Sequence, residues 1–374
     1  MTISALTIKR IFRCLPIYLV IVLSFFSATV NAEISNQTLA LLVNKSDPES
    51  LEIAEYYKRI RQIPEKNVFY VNFQSTGHSL SKAAFKQVYR HLEPQLSENI
   101  QGLVLAWRKP WRVGCMSITS AFSLGYDEAY CARGCKLTQA VAYFDSLSRS
   151  PYSDYSIRPS MLLSANSVSA VKRLIDRGVS ADFSRPLGTA YLVQTRDKLR
   201  NVRSATYPLI KSNLSGLLNV EWLRVDSISE RSDIMFYFTG AKQVKGIYDN
   251  AYLPGAIADH LTSTGGYLFG GKQMSILEWL DAGATGTYGT VVEPCNFTQK
   301  FPEPGVVMLN YLMGSTLLEA YWKSVKMPGQ GLFVGEPLAT PYKGCRVSNQ
   351  GNKRLQYVRR RSENFVERVS RSCH

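Results

Sequence analysis

DIMFYFTGAKQVKGIYDN (Asp233–Asn250), IADHLTSTGGYLFGG (Ile257–Gly271) and SILEWLDAGATGTYGTVVEPC (Ser275–Cys295) decide the fold. Three apolar runs, Ile234–Phe238, Gly265–Phe269 and Thr285–Val292, each run into Gly- or Thr-rich turns. A short amphipathic helix, Ile276–Asp281, separates the last two. Short apolar runs split by helical patterns read as strands buried on both faces of an α/β sheet. Sites in such sheets form at the carboxyl ends of strands, here the turns after Phe238 and Tyr288.

Upstream, the same alternation begins with a strand at Thr38–Val43. A helix follows with Ser50 as N-cap and Leu51, Ala54, Tyr57 and Ile60 at helical spacing. Then come a strand at Val68–Phe73, a helix opened by Ser79 or Ser81, and a strand at Leu103–Trp107. Strand–helix–strand order implies parallel pairing through right-handed crossovers. Downstream, the pattern predicts a helix at Val168–Arg177, a strand at Ala190–Thr195 and a helix at Arg203–Leu218. After the opening stretch it predicts a helix at Val306–Val325 and a closing strand and turn at Leu332–Pro341. The fold class is α/β, with mostly parallel sheets flanked by helices. Between Arg108 and Pro159 the periodicity is lost. That segment holds three cysteines and two tryptophan-flanked basic residues, Arg108 and Arg112. It is longer than an ordinary connection and reads as an insertion or lid pinned by disulfides.

The N-terminus is a different kind of sequence. Lys9, Arg10 and Arg13 precede an apolar run, Leu15–Phe26, too short to span a bilayer comfortably. Val30-Asn31-Ala32 then supplies residues suited to the −3 and −1 sites of signal cleavage. The expectation is an exported protein, periplasmic or extracellular, cleaved after Ala32. Cys14 leaves with that segment, and Cys115, Cys131, Cys135, Cys295, Cys345 and Cys373 remain. In an oxidising compartment six cysteines can pair completely, in any of about 15 ways. A zinc site would need a second Cys pair at ligand spacing and nearby histidines. None of the four histidines adjoins Cys131 or Cys135, the pair four residues apart, so disulfides are expected and no metal.

The formal charge is +15. The signal segment carries three cations and no acid, which leaves +12 on the mature chain. Lys343–His374 carries nine basic residues against Glu363 and Glu367, and so most of that excess. A basic tail calls for an anionic partner, a membrane surface or an acidic glycan; export takes nucleic acid out of reach. Four segments result: signal peptide 1–32, an N-terminal α/β region 33–185 containing the insertion at about 108–159, a second α/β region 186–342, and the tail 343–374.

Trp279–Pro294, Gly314–Trp322 (GSTLLEAYW), Leu332–Tyr342 (LFVGEPLATPY) and Leu41–Val68 together resemble a family of exported bacterial proteins of unassigned activity. The C-terminal half of that family resembles the caspase-like fold of gingipain-type cysteine peptidases. That resemblance implies a Gly-His-Gly turn after one strand, a catalytic Cys with a Thr-Gly turn after the next, and a late Gly-Asp-Pro turn. Here the first turn reads Thr239-Gly240-Ala241-Lys242, the second Leu261-Thr262-Ser263-Thr264-Gly265, and the third Gly335-Glu336-Pro337. Both the histidine and the cysteine of the resemblance are missing.

An alcohol in place of the thiolate needs a placed base. His260 is the nearby candidate. If residues 260–263 were helical, His260 and Ser263 would share a face. Ser263 or Thr262 with His260 is therefore the hydrolase alternative, and an unrecognised site in the insertion is another. Glu293, before Pro294-Cys295, reads as a turn residue. Glu278 and Asp281 read as solvated, and Glu319 as a surface or capping carboxylate. Gly265-Gly266 and Gly270-Gly271 lack the Lys-Ser/Thr pair of a phosphate loop, so no cofactor is expected. The reading that results is a non-catalytic, caspase-like binding or scaffolding protein of the cell envelope. If the signal is cleaved as read, N-terminal sequencing of the exported protein begins at Glu33; a chain starting at Met1 would contradict it.

Overall fold

The computed structural model describes residues 33–74, 77–132, 134–348 and 370–373. The signal-type segment 1–32 and tail residues 349–369 lie outside the described residues. Ten strands form one sheet: β1 Leu39–Asn44, β2 Val68–Val71, β3 Gly102–Leu105, β4 Ser160–Leu162, β5 Thr189–Val193, β6 Asn219–Leu223, β7 Ile234–Gly240, β8 Tyr252–Leu261, β9 Gly286–Thr290 and β10 Gly331–Gly335. Their order is β2-β1-β3-β4-β10-β9-β8-β7-β5-β6. All neighbours are parallel except β9 and β10, which pair antiparallel from Gly286↔Gly335 to Thr290↔Gly331. The last strand thus crosses into the first half of the sheet, where Val334 pairs with Leu162. Two parallel halves running in opposite directions share one continuous sheet.

The helices are α1 Pro48–Arg61, α2 Lys82–Leu92, α3 Ile118–Leu124, α4 Pro151–Tyr155, α5 Val168–Ala181, α6 Tyr207–Leu214, α7 Leu277–Ala282, α8 Pro304–Leu312 and α9 Leu317–Trp322. Strand alternation sorts them into layers. Phe236 of β7 meets Tyr311 of α8, while its neighbour Tyr237 meets Trp279 of α7. α7 and α8 therefore cover opposite faces. Such double coverage is why the strands read as continuous apolar runs: β1, β3, β5 and β7 are buried at every residue.

Several elements differ from the sequence reading, each for a local reason. Gly265–Phe269 is not a strand. Its backbone is used in turns, with Gly266 N–H donating to Thr290 C=O at 3.0 Å and Ile276 N–H to Gly265 C=O at 2.9 Å. The strand is Tyr252–Leu261, which Pro254 and Gly255 conceal from a periodicity reading. α1 is capped by Asp47 with Pro48 in its first turn; Ser50 Oγ instead accepts from Asn44 N–H at 2.9 Å. The expected helix at Val306–Val325 is two helices, because Thr316 and Glu319 form a capping box that starts α9. Part of the insertion packs into the body of the fold. Ile118–Ser123 of α3 are buried, and Ser120 Oγ donates to Pro328 C=O at 2.7 Å. β4 and β6, which the sequence reading lacked, complete the sheet.

All six cysteines among the described residues are bridged: Cys115–Cys131, Cys135–Cys295 and Cys345–Cys373. The second ties the insertion to the loop after β9. The third closes the tail, where Cys345–Ser348 and Ser370–Cys373 form an antiparallel ribbon.

A buried ion cluster links segments far apart in the chain. Glu336, just after β10, has a fully buried side chain, and Arg61, the last residue of α1, is 8% exposed. Arg61 Nε donates to Glu336 Oε1 at 2.9 Å and Nη2 to Oε2. Arg61 Nη1 donates to Asp182, which follows α5, and Tyr57 Oη donates to Glu336 Oε1 at 2.9 Å. Burial alone would push the Arg61 guanidinium toward neutrality, but Glu336, with Tyr57 and Asp182, more than reverses this and raises its pKa. Gly178 makes room for the carboxylate: a Cβ there would lie 2.5 Å from Glu336 Cγ. Removing one member of a buried pair strands the other's charge. Arg61→Met should therefore lower unfolding free energy by about 3–5 kcal/mol, read from urea denaturation at pH 7.

Candidate functional site

β7 and β8 are parallel neighbours in register, Thr239 opposite His260 and Gly240 opposite Leu261. The next residues, Ala241 and Thr262, therefore follow side by side where the strands end. This is the position at which the resemblance places a base and a nucleophile. Ala241 is 9% exposed and has no titratable group; Thr262 is 1% exposed.

The Thr262 hydroxyl is already committed. It donates to Gln273 Oε1 at 2.7 Å and accepts from Arg200 Nε at 3.1 Å. Gln273 Oε1 also accepts from Thr264 N–H at 2.8 Å, which fixes the turn. Arg200 is held in turn by Asp197 at 2.9 Å. The backbone of Arg200 presses on the same strand end: a Cβ at Gly240 would lie 1.9 Å from Arg200 C=O. The segment after β5 thus fills the space over the ends of β7 and β8.

His260 does not sit on a helix with Ser263. It belongs to β8, and Ser263 lies in the turn beyond, so the shared helical face on which the Ser–His pairing depends is absent. His260 is 1% exposed. Its Nδ1 accepts from Trp279 Nε1–H at 2.9 Å, which assigns the ring proton of the neutral form to Nε2. Burial drives the imidazole pKa down to about 3, with a smaller upward pull from the Met274 backbone and further lowering by Arg203 and Arg200. The ring is a neutral core group with its basic nitrogen occupied. The partly buried Ser263 gives its carbonyl, with that of Thr262, to Thr290 Oγ1.

On the strand's other face, Asp259 Oδ1 pairs with Arg203 at 2.6 Å, both side chains fully enclosed. Arg203 also donates to Thr239 C=O at 2.8 Å, so the pair pins the end of β7 to the segment before α6. Sequence reading missed this pair, because Arg203 lies 56 residues from Asp259. It also missed Lys300, fully buried, with Nζ donating to Gln330 Oε1 at 2.7 Å. Burial lowers the Lys300 pKa to about 8 against the pull of Glu293. Glu319 is the buried cap of α9, and Asp281 accepts from Asn166. Glu293 Oε1 accepts from Cys295 N–H at 2.8 Å, as a turn residue does. Arg108 is spent on Glu49 at 2.8 Å, and Arg112 donates to Tyr267 Oη at 2.9 Å.

Comparison with protein-family models and with curated proteins finds no match. Among solved structures, one described as "Structure of Protease" aligns over 84% of this chain and 80% of that chain. It shares 11% identity at a TM-score of 0.43, a likeness too slight to bear on activity.

The His260 environment gives a pH prediction. Its folded pKa lies below the ordinary 6.5, so only the unfolded chain takes up that proton as pH falls from 6.5 toward 3. The stability associated with neutral His260 is complete above pH 6.5 and is lost progressively below it, by up to about 5 kcal/mol in all. NMR should show the His260 imidazole neutral from pH 8 to 5. A midpoint near 6.5 in the folded protein would contradict this.

Proposed function

We propose that this chain is a non-catalytic binding protein that works outside the cytoplasm. The observation that carries this reading is the composition of the strand-end position, Ala241 beside a Thr262 whose hydroxyl is bonded on both sides. An alcohol becomes a nucleophile when a base at hydrogen-bond distance takes its proton. His260, the base that the sequence offers, has its acceptor nitrogen filled by Trp279. The three disulfides favour an oxidising compartment. The anionic partner expected of the basic tail, a membrane surface or an acidic glycan, belongs to the same proposal and rests on charge alone.

The experiment is a panel of peptide and ester substrates assayed with the native protein and with Ser263→Ala. The reading predicts turnover no higher than buffer for both. Hydrolysis by the native protein that Ser263→Ala abolishes would establish the hydrolase alternative. Hydrolysis that alkylation removes would place a cysteine nucleophile elsewhere.

A further inference from the structure

The edge strand β2 borders a cleft of about 540 Å³, well within the ~300–1,000 Å³ usual for ligand sites. The cleft lies between the end of β2 and helix α2. In the sheet, five strands separate β2 from β8, and none of Ala241, Thr262 or Ser263 lines this cleft.

Its lining has a consistent chemistry. Lys45, which follows β1, reaches it, and no Asp or Glu does. Lys45 forms no ion pair among the described residues. Asn72, Gln74 and Gln87 contribute side-chain amides, each able to donate and accept. Of these, Asn72 Oδ1 accepts from Ser46 Oγ, and the exposed residue keeps its NH₂ group as a donor. Tyr70 stands at the margin, 53% exposed, a large ring that the core does not claim. His91 closes the α2 side.

Paired donors and acceptors suit vicinal hydroxyls, and an amphipathic aromatic ring suits the flat face of a pyranose. An unopposed ammonium suits a carboxylate. We infer that this cleft binds an acidic oligosaccharide, with a sugar ring against Tyr70, hydroxyls on Asn72 and Gln87, and a uronate carboxylate at Lys45. This names the ligand class of the binding role proposed above and rests on that reading.

The test uses the mature protein and a trimer of galacturonic acid, with the neutral galactose trimer as control, in isothermal titration calorimetry. Lys45→Gln should weaken the acidic trimer at least tenfold and leave the neutral one unchanged. Tyr70→Ala should weaken both. Lys45 and Tyr70 are exposed, so both variants should keep the native melting temperature. No binding of the acidic trimer, or equal binding in both variants, overturns the inference. Tighter binding of an acidic peptide or of anionic vesicles at the same residues overturns it in favour of that class. If the trimer binds as expected but is shortened during incubation, the site stands and the non-catalytic reading falls.

Discussion

The Arg61–Glu336–Asp182 cluster is the constraint on which the architecture depends. Arg61 belongs to the first helix, Asp182 follows the fifth, and Glu336 follows the last strand of the sheet. One guanidinium therefore holds together segments some 275 residues apart in the chain. Bidentate geometry suits this role, since a planar fork fixes orientation as well as charge, and lysine could not replace it. The cluster sits where β10 leaves the sheet. Among the described residues, β10 is the strand that joins the two oppositely directed halves, antiparallel to β9 and parallel to β4. Fixing Glu336 fixes the exit of that strand.

A different set of interactions decides what the strand ends of the second half can do. Parallel sheets leave their functional loops at carboxyl ends, and β7 and β8 end side by side. There the chain invests in closure. Arg200 lies over Gly240 and Thr262, Gln273 holds the turn, and Arg203 with Asp259 anchors the strands from the other face. Each of these polar groups has a partner supplied by another segment. Such satisfaction fixes a turn in place, and it also consumes the groups that chemistry would need.

Much of this was legible in the sequence. The apolar runs at Ile234–Phe238 and Thr285–Val292 gave the α/β class, and the six cysteines that follow Cys14 gave a complete disulfide set. Other features were hidden for identifiable reasons. Pro254 and Gly255 broke the pattern of the longest strand, and the glycine pairs around Tyr267-Leu268-Phe269 made a buried turn look like one. The Thr316–Glu319 capping box divided what periodicity joined. The local question at His260 and Ser263 turned on whether four residues were helix or strand, which spacing alone leaves open. The clefts and ion clusters depend on partners such as Arg203 and Asp259, far apart in sequence and close only after folding. Their pairing is a tertiary fact.

The central claim is that the Thr262–Ser263 turn holds no activated nucleophile. Incubation of the native protein with a fluorophosphonate, followed by intact mass measurement and peptide mapping, tests it most directly. The predicted result is an unmodified mass, with Thr262 and Ser263 recovered free. A phosphonylated Ser263 whose labelling is abolished by His260→Gln would contradict the account.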